Sequence, residues 1–150
     1  IVRIQRNNIR SIASYAASVD SLDRAVLVEM LDRAAADRAE PLDVLVQVSL
    51  DGDPHRGGAP VAELPALADR VEAAPDLRLA WLMAVAPPGA DAERGYADLA
   101  GYAAQLRAGH PRAKTLSAGM SGDLEAAVGH GATQVRVGTA LLGGRPPVVG

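Results

Sequence analysis

The sequence predicts a parallel α/β fold. Apolar, β-branched runs such as "DVLVQVSL" (43–50) alternate with segments whose apolar residues recur at helical spacing. The connectors between them are short and rich in Gly, Pro and Asp. No two strand-like runs are joined by a two-residue hairpin signal, so successive strands must be linked through helices and lie parallel.

In chain order, the opening "IVRIQRNN" reads as the end of a strand. "ASVDS" (17–21) is a short strand closing on polar residues. Residues 22–38 read as a helix with Leu22, Val26, Met30 and Ala34 along one stripe and Pro41 as its stop. "DVLVQVSL" is apolar on both faces, as buried parallel strands are. "DGDPHRGGAP" (51–60) is turn chemistry throughout. Leu64, Leu67, Ala68 and Val71 make the next helical stripe, in which Pro65 fits only a first turn. "LRLAWLMAV" (77–85) is a strand and "APPGAD" a loop. Tyr96, Leu99, Ala103 and Leu106 mark a third helix ended by "GHP". "KTLS" is a strand, "GDLEAAVGHG" a short helix closed by Gly129 and Gly131, and "TQVRV" the last strand.

An open nucleotide-binding sheet would carry G-x-G-x-x-G after its first strand, and "GDPHRGG" has the wrong spacing. A (β/α) barrel is therefore favoured. A complete barrel has eight strands and usually more than about 200 residues, whereas this chain has 150 residues and five or six strand-like segments. The expectation is a single α/β domain over 1–150. It would be an incomplete TIM-type barrel, the C-terminal three-quarters, with its first two strands missing. The exposed edges of such a sheet invite association between copies.

Composition narrows the function. Hydrophobic residues make up 49% and charged residues 22%, enough for an ordinary core. A net charge of −3 gives no basic surface for nucleic acid or anionic lipid. Without Cys there are no disulfides or thiolate metal sites. No apolar run approaches the roughly 18 residues of a membrane span, and a cytoplasmic location is expected. His55, His110 and His130 fall in separate loops or helix ends, so no metal site is predicted. Asp51 and Asp53 lack EF-hand spacing. Ser117 and Ser121 have no His–Asp arrangement beside them, and Asp20 and Ser21 read as structural, so no catalytic residue is assigned. Asp123 and Glu125 complement the N-terminal dipole of their helix.

The stretch "TLSAGMSGDLEAAVGHGATQVRVGTALLGG" (115–144) carries the functional signal. Two successive strands are each cut off by small residues, Gly119-Met120-Ser121 and Gly138-Thr139. In barrels of this type a phosphate often sits between the loops after the last two strands, where small residues let backbone N–H groups approach its oxygens. Each loop alone also reads as a turn, with Ser121 an N-cap. Arg136 shares a strand face with Gly138. It reads either as an inward group at the barrel mouth, paired or bound to ligand, or as an outward group in an ion pair.

These residues resemble the signature of the pyridoxal phosphate homeostasis protein family, whose members resemble the barrel domain of alanine racemase. "VRIQRNN" is similar to that family's G-x-L-Q-x-N-K segment and "VDSLDR" to its T-I-D-S stretch. "VLVQVSLDGDPHRGG" is similar to V-L-I-Q-V-N…K-x-G, and "WLMAV" to G-L-M-A-I. The resemblance implies a pyridoxal 5′-phosphate site in which Ser121, Gly138 and Thr139 hold the phosphate, with the Met120 backbone beside them. It places Arg136 at the pyridine nitrogen. A permanent guanidinium charge there disfavours ring protonation and weakens the cofactor as an electron sink, as fits a carrier or regulator without turnover. Met83 is a candidate ring contact, with core packing the stronger reading. The family's Schiff-base lysine and its G-E-N-x-x-Q-E strand are not in this sequence. The only lysine, Lys114, enters a strand at the opposite barrel end, and Arg56 stands where the family usually has lysine. Two other readings remain: a fragment of an alanine racemase-like enzyme, or a module for another phosphorylated metabolite.

Overall fold

The computed structural model describes residues 4–143. Five strands form one sheet: β1 (Ser18–Leu22), β2 (Leu42–Val48), β3 (Leu77–Ala84), β4 (Thr115–Met120) and β5 (Gln134–Arg136). Their spatial order is their chain order, and every neighbouring pair is parallel. Six helices connect or flank them: α1 (Ile9–Tyr15), α2 (Ala25–Ala35), α3 (Leu64–Ala73), α4 (Ala92–Leu106), α5 (Leu124–Gly129) and α6 (Thr139–Leu142). A 3₁₀ turn over Val61–Glu63 leads into α3.

β2 forms where it does because Val44, Val46 and Val48 face the helices while Leu45 is buried on the other side of the pleat. β3 follows it in register until one extra residue, Ala80, intervenes: Val44 pairs with Leu79 but Leu45 with Trp81. The bulge holds Trp81 at φ +148, fully buried and tilted against His110 with ring centroids 5.8 Å apart. α3 starts with Pro65 in its first turn and buries Leu64, Leu67, Ala68 and Val71, as its spacing predicts. α4 is capped by Asp91, whose Oδ1 accepts from the Arg94 N–H at 3.3 Å, and buries Tyr96, Leu99 and Ala103; Leu106 is partly buried.

The sheet is curled into a half-barrel. Asp20 on β1 and Ser117 on β4 are not neighbours in the sheet, yet Ser117 Oγ donates to Asp20 Oδ2 at 3.2 Å. Arg136 on β5 likewise reaches past β4 to the Ala84 carbonyl at the end of β3, at 2.7 Å. A flat sheet would hold these strands about 10–15 Å apart.

Some expectations need correction. Leu22 belongs to β1, so the helical stripe counted from it is displaced by one residue. α2 buries Leu27, Val28, Leu31 and Ala35, while Val26, Met30 and Ala34 lie at the margin of the same core. α1 has no counterpart in the sequence reading, although Ile9 and Ala13, one turn apart, are both buried. The strand end expected at "IVRIQRNN" falls partly on residues 1–3, outside the described residues; Ile4 and Gln5 belong to no strand and residues 6–8 form a turn.

Candidate functional site

At the C-terminal ends of the strands the sheet opens into a cavity of about 1020 Å³. Met120, Ser121, Arg136, Gly138 and Thr139 all line it. Gln47, Ser49 and Arg56 form the facing wall. The two loops singled out in the sequence lie side by side: the Ser121 hydroxyl oxygen accepts from the Ala140 N–H at 3.2 Å. Ser121 is therefore not an N-cap. That position belongs to Asp123, and the Ser121 hydroxyl proton remains free to donate into the cavity. Among the described residues, the N–H groups of Gly122, Gly138 and Thr139 make no turn, loop or cap hydrogen bond to the backbone.

Gly119 shapes the first of these loops. Its φ is +89, and a Cβ there would lie 2.7 Å from the Ala127 Cβ and 3.1 Å from the Leu124 Cα. Only glycine adopts that dihedral without strain and lets α5 approach the strand so closely.

Asp123 does something other than complement a helix dipole. One carboxylate oxygen accepts from the Met120 N–H at 2.6 Å, and the other accepts from the buried Tyr96 hydroxyl at 2.8 Å. The Met120 N–H is thus committed inside the protein and does not point at a ligand. Burial first, then the Asp123 hydrogen bond and charge, pushes the Tyr96 hydroxyl up to about 12, so it stays a donor.

Arg136 takes the inward alternative. Its Nη1 donates to Ser117 Oγ at 2.7 Å and its Nη2 to the Ala84 carbonyl, while Nε is buried without a partner. Ser117 is fully buried and passes the contact on to Asp20, which also accepts from Gln134 Nε2 at 3.4 Å. Burial draws the guanidinium below its ordinary value, and the Asp20 and Asp123 charges oppose that shift. The group remains a cation at neutral pH. On the far wall Arg56 pairs with Asp51 at 3.2 Å and donates to the Val85 and Ala86 carbonyls, fastening the 51–58 loop to the end of β3. The cavity is therefore lined by two guanidinium groups and one carboxylate, a balance that favours an anionic ligand.

The other candidates lie elsewhere. Met83 is fully buried and does not line the cavity. Lys114 precedes β4 at the opposite end of the sheet, beside a smaller cleft with Asp43, Glu72 and Arg112. His110 sits 2.6 Å from Glu72 and 3.3 Å from Asp69, and His130 sits 2.7 Å from Glu93. No cluster of three or more metal-ligating side chains occurs among the described residues, and no helix there is long and apolar enough to cross a membrane. Sequence reading missed the supports, namely Tyr96 and Asp123 behind Met120, and Ser117 and Asp20 behind Arg136. Asp123 is three residues from Met120, but Tyr96 is 27 residues from Asp123 and Ser117 is 97 from Asp20, and no local motif joins them.

The family model for the alanine racemase N-terminal domain matches residues 4–146. Over 94% of its length the chain is 46% identical to a Mycobacterium leprae protein described as "Pyridoxal phosphate homeostasis protein". A Corynebacterium glutamicum protein of the same description is 42% identical over 97% of the chain. The chain spans 58% of the first of these relatives and 69% of the second. Among solved structures, PipY of Synechococcus elongatus with PLP bound superposes with a TM-score of 0.85 at 32% identity. That match covers 94% of this chain and 68% of PipY. The chain thus belongs to the alanine racemase N-terminal domain family, among the members described as pyridoxal phosphate homeostasis proteins.

Proposed function

We propose that this chain contributes the phosphate and ring-nitrogen walls of a pyridoxal 5′-phosphate site in a protein of cofactor homeostasis, and that it turns over no substrate. The carrying observation is the pairing of the two loops through Ser121 and Ala140 beside the inward Arg136. The residues fit the group. The Ser121 and Thr139 hydroxyls and the Gly138 and Thr139 N–H groups are donors of the kind a phosphate dianion accepts from. A Cβ at Gly138 would meet nothing within 4 Å. Its φ of −119 is open to any residue, so the fold itself does not demand glycine there. Close approach of a ligand to the backbone is a reason to keep one. The unpartnered Nε of Arg136 is a buried donor in want of an acceptor, and a pyridine nitrogen is one.

Pyridoxal phosphate, when bound, supplies an aldehyde for amines and a ring that withdraws electrons best when its nitrogen is protonated. A guanidinium beside that nitrogen can donate a hydrogen bond but cannot accept a proton, so the ring is held neutral. Ser117 and the Ala84 carbonyl fix the guanidinium plane, and Asp20 balances part of its charge. Such a site stores and presents the cofactor. It does little to promote the carbanion chemistry of a racemase.

Calorimetric titration of the full chain with pyridoxal phosphate and with pyridoxal tests this. The phosphorylated form should bind at least about tenfold more tightly, one charge-assisted hydrogen bond being worth roughly 1.5–3 kcal/mol. Ser121→Ala should erode that preference. Equal affinity for the two ligands, or cofactor-dependent racemisation of alanine by the full chain, would overturn the reading.

A further inference from the structure

Taking the cavity as a phosphate site, on which this role depends, we propose that Tyr96 and Asp123 are positioning residues that set phosphate affinity by holding the Met120–Ser121–Gly122 turn from behind. Neither lines the cavity. Both act on the segment that does. Asp123 grips Met120 twice: its N–H donates to the Met120 carbonyl at 3.1 Å, and its Oδ1 accepts from the Met120 N–H at 2.6 Å. The turn is thereby closed on both sides of one residue. Its second carboxylate oxygen is taken by Tyr96, whose hydroxyl comes from the core-facing side of α4, with the residue only 1% exposed. Gly119 immediately before the turn is packed against α5, so the segment is clamped at its entry as well.

The brace has an electrostatic side. A carboxylate so near a phosphate cradle would repel the ligand. Two donors, one on each oxygen, draw its charge toward the protein interior and away from the Ser121 side. Deleting the Tyr96 hydroxyl removes one of them. The turn is then free to shift, and the remaining carboxylate charge is less compensated. Both changes act against a dianion and neither acts against an uncharged ligand.

Steric support alone makes a different prediction, because a phenyl ring fills the same space. The full chain, Tyr96→Phe, Asp123→Asn and Asp123→Ala are titrated with pyridoxal phosphate and with pyridoxal, well below the melting temperature of each. Leu99→Ala serves as control: it is fully buried on the same helix, three residues on, and its side chain carries no group that could hydrogen-bond to the turn. Tyr96→Phe should cut the preference for the phosphorylated ligand about tenfold, with pyridoxal affinity changed less than about twofold. Asp123→Ala should do at least as much. Asp123→Asn keeps an acceptor for Met120 and removes the negative charge, so it should retain the preference. Leu99→Ala should lower the melting temperature at least as far as Tyr96→Phe without touching the ratio. If wild type shows the preference and Tyr96→Phe keeps it, or if Leu99→Ala reduces it equally, the brace is wrong while the phosphate site stands. If wild type shows no preference, both fall together.

Discussion

Replacing Gly119 by alanine separates what the fold demands at the cavity from what a ligand demands. At φ +89 an L-residue costs about 1–2 kcal/mol relative to glycine. The new Cβ would also sit 2.7 Å from the Ala127 Cβ and 3.1 Å from the Leu124 Cα, too close for either to remain in place. Forcing α5 away from β4 adds about 1–3 kcal/mol of overpacking. The sum is about 2–5 kcal/mol, a large part of the stability of an ordinary domain. Gly52→Ala is the matched control, because Gly52 has φ +71 but nothing within 4 Å of its Cβ position. The dihedral cost and the stiffening of the unfolded chain appear in both variants, so their difference isolates the clash. With a urea slope near 2 kcal/mol per molar, Gly119→Ala should unfold about 0.5–1.5 M earlier than Gly52→Ala, with an unchanged slope. Coincident midpoints for the two variants would refute the steric account of Gly119.

Two further outcomes follow from side-chain pairs. Ser117→Ala leaves a guanidinium N–H of Arg136 without its acceptor at a fully buried position. It should cost about 1–3 kcal/mol, a drop in melting temperature of about 2–10 °C by calorimetry; an unchanged melting temperature would mean that water replaces the hydroxyl. Glu72 is held below its ordinary value of 4.5, first by its hydrogen bond to His110. The unfolded chain therefore binds more protons than the folded one as the pH falls. The stabilisation is complete above 4.5 and is lost as pH falls through the lower folded value. Glu72→Gln should flatten that acid limb, seen as a smaller difference between urea midpoints at about pH 6 and about pH 3.5. An identical acid limb in the variant would remove Glu72 from the account.

What could be read from the sequence was whatever local chemistry dictates. The Leu64–Val71 stripe, Pro65 in a first turn and the valine-rich β2 each announce themselves within a few residues, and the structure agrees with all three. The two small-residue loops were legible for the same reason, since Gly, Ser and Thr at a strand end are a local event, although β4 runs on through Gly119 and Met120 and its turn begins only at Ser121. Local counting also misled. A stripe begun at Leu22 drifts by one residue because Leu22 ends a strand, and nothing in "SLDRAV" marks where extended chain gives way to helix. Ser121 and Asp123 both have N-cap chemistry, and only the packed turn puts Asp123 at the N-cap position with its carboxylate turned to Met120 and Tyr96 instead of to the helix. The inward turn of Arg136 was undecidable because its partners, Ser117 and the Ala84 carbonyl, are 19 and 52 residues away. The Tyr96–Asp123 contact spans 27 residues and two elements. Support of this kind exists only in three dimensions.

The coincidence of strand order with chain order has a consequence for how the protein is made. Each strand, as it leaves the ribosome, finds its sheet partner already in place as the strand before it. Assembly can therefore proceed vectorially, with loop-closure distances of only one helix and two connectors at each addition. The bonds from Asp20 to Ser117 and Gln134 are different in kind, joining residues 97 and 114 positions apart. They can close only after β4 and β5 have been laid down. Arg136 is thus oriented at the last step, and a chain stalled before β5 would carry most of its core but lack the cavity wall of Arg136, Gly138 and Thr139.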